Sequence, residues 1–151
     1  MSSGIIVNPR IKEEFESIKM QSNPQKRNRG LVIALPANKN ESELTLEKVI
    51  PPSDSSNHKE DFINVLRSLP EDRAVYVVYD IFGKDINNQD QYKIILITWV
   101  PQGASLFTKI VVSSTKGTLK SALDVTSNEK TLESVDEVNY DELCTIAGIK
   151  L

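Results

Sequence analysis

The sequence predicts a single α/β domain, of the α+β kind in which helices cover a sheet, and three observations predict it. The chain has 151 residues, the size of one domain. Two dense runs, residues 74–79 and 92–100, are apolar on both faces, as strands at the centre of a doubly covered sheet must be. Between and around them lie segments whose apolar residues recur at three- and four-residue steps, which supply the covering helices. Hydrophobic residues make up 39% and charged ones 26%, so the chain can bury a core.

The first helix opens at Asn8-Pro9, with Ile11, Phe15 and Ile18 on one face and Lys12, Glu13, Glu14 and Lys19 on the others. A proline suits its first turn, where the missing N–H would be unpaired anyway. Residues 21–29 are polar and turn-like. Leu31-Val32-Ile33-Ala34-Leu35 is a short apolar run stopped by Pro36, which suits a buried strand. Residues 44–50 partly alternate and read as a second strand, hairpinned to the first. Pro51-Pro52-Ser53-Asp54-Ser55-Ser56-Asn57 is a loop on composition. Phe62, Val65, Leu66 and Leu69 form the apolar stripe of the next helix, which Pro70 ends. The two dense strands follow, joined by a polar loop over residues 83–91.

Residues 105–123 carry two readings. Ile110-Val111-Val112-Ser113-Ser114-Thr115 is rich in β-branched residues and locally prefers a strand. Phe107, Ile110, Val111, Thr118, Leu119 and Ala122 instead fall at helical steps, although Gly117 would cost such a helix ~1 kcal/mol relative to alanine. A last short helix is capped by Asn139, carries Asp141 and Glu142 in its first turn and ends at Gly148.

Several chemistries are excluded. With 18 basic against 21 acidic side chains the formal charge is −3, so a nucleic-acid binder working by bulk positive field is ruled out. Cys144 is alone, so neither an intramolecular disulfide nor a thiolate zinc cluster can be built. The glycines are scattered, and no phosphate-cradling loop can be written. His58 and Cys144 could meet only through the fold. On local pattern His58 is a polar residue entering a helix and Cys144 a small buried hydrophobe. The carboxylate pairs Asp54 with Glu60 and Glu133 with Asp136 lie in solvated segments, where nothing raises a pKa. No catalytic residue, cofactor or metal is therefore expected. The aliphatic run Ile5-Ile6-Val7 is too short for a signal-peptide core, and Ile94-Ile95-Leu96-Ile97 is too short to span a membrane, so the chain reads as soluble and intracellular.

One resemblance organises these elements. Trp99-Val100-Pro101-Gln102-Gly103-Ala104, running on to Lys109, Ser113-Ser114-Thr115-Lys116 and Leu119-Lys120-Ser121-Ala122-Leu123, resembles the actin-depolymerising factor/cofilin family. The same family is matched upstream by Leu69-Pro70-Glu71-Asp72 with Tyr76-Val77-Val78-Tyr79-Asp80 and by Ser3-Gly4-Ile5, and downstream by Val138-Asn139-Tyr140-Asp141. The resemblance implies a mixed five-stranded sheet with helices on both faces, and it makes residues 105–123 a helix.

It also implies a monomeric protein without chemistry of its own. Such a protein binds monomeric and filamentous actin, prefers ADP-bound subunits, and promotes severing and depolymerisation. The monomer-facing surface maps by position to Ser3, Gly4, Lys109, Ile110, Ser114, Lys116 and Lys120, with Ser3 at the family's phosphorylation position. On the residues alone, lysines at these steps read first as solvation of an exposed helix face, and the resemblance is what makes them a binding surface. Of the family's basic filament-only contact, Asp90-Gln91-Tyr92 leaves Lys93, and the last helix carries the apolar turn Cys144-Thr145-Ile146. Phosphoinositides are a further implied ligand. The implied place is the cytoplasmic actin cytoskeleton, with Lys26, Arg27 and Arg29 where animal members carry a nuclear-import cluster. Two alternatives stand beside this reading: a glia-maturation-factor-like regulator of the branch-forming actin-related complex, and a small hydrolase built on Cys144 and His58.

Overall fold

The structure is a computed structural model and describes residues 5–36, 38, 40–53, 56–124 and 128–151. In chain order its elements are β1 (Ile6–Val7), α1 (Pro9–Met20), β2 (Gly30–Ala34), β3 (Glu43–Ile50), α2 (His58–Arg67), β4 (Val75–Lys84), β5 (Asp90–Trp99), α3 (Leu106–Leu123), β6 (Glu129–Leu132) and α4 (Tyr140–Ala147). Among the described residues the strands form one sheet in the order β1-β3-β2-β4-β5-β6. The four central strands pair antiparallel, while β1 on β3 and β6 on β5 are parallel, so the sheet is mixed as expected.

Alternation along the central strands divides the core in two. Val75, Val77, Tyr79 and Ile81, with Ile95, Ile97 and Trp99, pack against α2 and α4 through Phe62, Leu66, Leu143 and Ala147. Tyr76, Val78 and Leu96 point the other way, to Ile11, Phe15 and Ile18 of α1 and Val112, Leu119 and Leu123 of α3. The two dense runs are apolar on both faces because each face has its own pair of helices.

The structure differs from the sequence reading in four places. The sheet has six strands rather than five, because the two residues of β1 add to the edge of β3. The loop between β4 and β5 is much shorter than residues 83–91. The Asp85 carboxylate accepts backbone N–H groups from Asn87 and Gln89, each at 2.9 Å, and Asn88 takes φ 61°, which folds the polar residues into a tight turn. The short polar strand β6 has no apolar pattern, and only its backbone pairing with β5 reveals it. Finally, Arg27 and Arg29 do not lie in a solvated turn. Arg27 Nε donates to Asp80 Oδ2 at 2.9 Å, Arg29 is only 5% exposed, and both guanidinium groups lie over the Tyr92 ring. Of that basic cluster Lys26 alone is exposed.

Candidate functional site

The site is built on α3. Trp99, at the end of β5, donates its indole N–H to the Pro70 carbonyl at 2.8 Å, tying the strand end to the turn after α2. The chain then turns at Pro101, whose carbonyl accepts from Ala104 N, and Ser105 Oγ caps α3 by accepting from Thr108 N. Thr108, Val112, Thr115, Leu119 and Leu123 are the buried residues of α3, at four- and three-residue steps. That stripe fits a helix lying on the sheet, so burial overrides the strand preference of the β-branched run. From β4, Tyr76 reaches up to α3. Its buried hydroxyl bonds the Val112 carbonyl, lies 2.8 Å from Thr115 Oγ1, and is pushed by burial up to about 12.

The opposite face of α3 is open. Leu106 is 73% exposed and Ile110, one turn on, 59%. Lys109, Ser113, Ser114, Gly117 and Ser121 continue the exposed stripe. Ser113 and Ser114 turn their hydroxyls back to the Lys109 and Val111 carbonyls, and a Cβ at Gly117 would meet nothing within 4 Å. The stripe is therefore apolar at its start and low in profile along its length. β1 lies against α3 and adds exposed Ile6. Leu106 and Ile6 were missed in the sequence reading. The signal for Leu106 was its position four residues before Ile110, on the same face.

The predicted site residues divide on this surface. Lys109, Ile110 and Ser114 are exposed together on α3, and Lys109 has no ion-pair partner among the described residues. Lys116 and Lys120 are not freely exposed, as the sequence had suggested. Their side chains are 29% and 26% exposed, and both reach Glu129 on β6: Lys116 Nζ lies 3.1 Å from Oε1 and Lys120 Nζ 2.5 Å from Oε2. The ammonium groups of Lys120 and then Lys116, paired with the carboxylate, hold the Glu129 carboxyl below its ordinary value. Ser3 and Gly4 lie outside the described residues, as does Asp54.

The second predicted surface lies elsewhere. Lys93 is exposed on β5, and Asp90 forms an ion pair with Lys84 across the hairpin at 2.8 Å, both side chains more than half exposed. In α4 the apolar turn faces inward: Cys144 is buried, Ile146 half-buried, and Asp141, Glu142 and Thr145 face solvent. The exposed face of that helix is therefore acidic rather than apolar.

His58 and Cys144 do line one cavity of about 400 Å³, with Phe82 and Tyr140. Its chemistry is not nucleophilic. The Cys144 thiol donates to the Phe82 carbonyl and is pushed by burial up to about 11, far from a thiolate. His58 stacks on Phe82 at 3.9 Å, and burial and then Arg29 hold its pKa below the ordinary value. Among the described residues no group of three His, Cys, Asp or Glu side chains could hold a metal ion, and no helix is long and apolar enough to cross a membrane.

The chain as a whole is similar to known proteins. Residues 4–145 match the family model described as cofilin/tropomyosin-type actin-binding protein. The chain is 28% identical over 142 residues to cofilin of Schizosaccharomyces pombe, covering 92% of this chain and 91% of that protein. It is 39% identical over 85 residues to actophorin of Entamoeba histolytica, an alignment that takes in 56% of this chain and 59% of that protein. In structure it is similar to Streptomyces griseoflavus cofilin, with TM-score 0.74 at 26% identity, covering 96% of this chain and 98% of that one.

Proposed function

The chain belongs to the cofilin/tropomyosin-type actin-binding family, and on that premise we propose that it binds actin monomers through the exposed stripe of α3 and promotes filament depolymerisation and severing. A member of this family is an actin-binding protein and not an enzyme. The observation that carries the reading is the pairing of exposed Leu106 and Ile110 with the cation of Lys109, which has no ion-pair partner among the described residues, on one low-profile helix face. Apolar anchors supply desolvation, and the ammonium group speeds encounter with an acidic partner and fixes register. The glia-maturation-factor alternative is not favoured, since the sequence relatives described above are cofilin and actophorin.

The finer proposals are that ADP-bound actin is preferred, that phosphoinositides compete for the same face of α3, and that the protein acts as a cytoplasmic monomer. Ser3 is proposed as a phosphorylation switch. A phosphate adds roughly −1.5 to −2 charges at neutral pH and would repel an acidic partner at the N-terminal segment. Ser3→Asp is expected to lower actin affinity while Ser3→Ala does not; equal binding by both discards the switch.

Filament decoration should be weaker than monomer binding. The second surface offers Lys93, but Asp90 neutralises Lys84 and the face of α4 is acidic. Replacing Asp90 by lysine and Gln91 by arginine removes that neutralisation and adds two cations. Each exposed pair is worth only ~0.2–1 kcal/mol, so filament co-sedimentation should strengthen several-fold while monomer affinity stays nearly unchanged. The test of the whole reading runs labelled ADP-actin monomers and filament co-sedimentation in parallel. Saturable monomer binding is expected, and absence of binding to either form discards it.

A further inference from the structure

We propose that Glu129 is a built-in attenuator of the α3 face, a clamp that withholds Lys116 and Lys120 from an acidic partner and leaves Lys109 as the working cation. The proposal rests on the actin reading above and deepens it. Lys109, Lys116 and Lys120 recur at seven- and four-residue steps, so they share one edge of α3. Two of the three are spoken for. One carboxylate takes Lys116 on one oxygen and Lys120 on the other, at 3.1 and 2.5 Å. All three side chains are roughly a quarter exposed, shielded enough to hold the arrangement and open enough to exchange it.

The clamp is not needed to seat the helix. Val112, Leu119 and Leu123 are buried against the sheet, and the Tyr76 hydroxyl reaches the same stretch of α3 from β4. Nor does β6 depend on it, since Leu96, Ile97, Thr98 and Trp99 of β5 pair with its four residues through the backbone. What the clamp does change is the charge offered along that edge. A partner carboxylate must compete with Glu129 for two ammonium groups and meets a negative charge while doing so.

Glu129→Gln tests this, because it keeps the shape and one acceptor oxygen while removing the charge. Two readouts are made on the full chain: labelling of individual lysines by an amine-reactive acetylating reagent, followed by mass spectrometry, and affinity for ADP-actin monomers. In the unmodified protein Lys116 and Lys120 should label more slowly than Lys109, and in Glu129→Gln they should approach its rate. Monomer affinity should rise about two- to fivefold at low salt, the worth of one exposed ion pair, and the gain should fade at high salt. Lys116→Gln with Lys120→Gln should change affinity little in the unmodified background and cancel the gain in the Glu129→Gln background, the signature of coupled sites. Faster labelling without tighter binding overturns the proposal alone, and unchanged labelling overturns the clamp itself. Absence of actin binding by both proteins overturns the actin reading and the attenuator with it.

Discussion

Replacing Lys109 by glutamate and Ile110 by aspartate together should weaken actin-monomer binding by about 100-fold or more, close to 3 kcal/mol, with little change in thermal stability. Both side chains are exposed, and neither has a hydrogen-bond or ion-pair partner among the described residues. Surface substitutions of that kind usually move stability by no more than ~0.5 kcal/mol. The two changes act on different terms. Reversing Lys109 places a negative charge against an acidic partner, which slows association and makes it less dependent on salt. Aspartate at Ile110 removes an apolar anchor and buries a charge at the contact, which speeds dissociation. Lys116 is left out of the pair by design. A glutamate there would stand beside Glu129 and mix folding with binding. Titration of labelled ADP-actin, with a thermal melt of each variant, separates the effects. Unchanged affinity in the double variant would move the site off α3.

Gly30→Ala should destabilise the fold by about 3 kcal/mol or more, the upper end of what overpacking costs. Gly30 is central: it pairs with Ile50 on one side and with Tyr79 on the other. A Cβ built there overlaps the Val78 carbonyl oxygen and stands 3.2 Å from Tyr79 Cα. Those atoms are backbone, so no side-chain rotation relieves the clash, and β2 must separate from β4 or the strand must shift. For a domain of this size 1 kcal/mol corresponds to roughly 2–4 °C, so the melting midpoint should fall by roughly 6–12 °C. Gly117→Ala is the internal contrast, because a Cβ there meets nothing and helix propensity favours alanine. A Gly30→Ala protein melting with the unmodified chain would show that the two strands yield without cost.

Much of this architecture was legible in the sequence. Helix α1 announced itself by Asn8, Pro9 and the spacing of Ile11, Phe15 and Ile18, and the structure buries those three apolar residues. Asn139 and Gly148 bound α4 as their side chain and backbone freedom require: Asn139 Oδ1 accepts from Glu142 N, and Gly148 takes φ 106°. The doubly apolar strands β4 and β5 stated that helices would cover both faces. These signals are local, or they repeat with the period of the element, and a single sequence carries them in full.

The rest was decided by contacts between distant residues. Whether residues 105–123 became helix or strand turned on the buried stripe from Thr108 to Leu123, because β-branched residues follow whichever surface accepts them. Strand β6 has no apolar alternation and exists by backbone pairing with β5. Most consequentially, the α3 lysines looked alike in the sequence. Folding brings Glu129 to two of them and leaves Lys109 without an ion-pair partner among the described residues, and Asp80 and Tyr92 draw Arg27 and Arg29 down against the sheet. Residue type and spacing determine which faces of an element are charged. Which of those charges remains available to a partner depends on the counter-charge that another segment supplies, and the tertiary structure alone decides that.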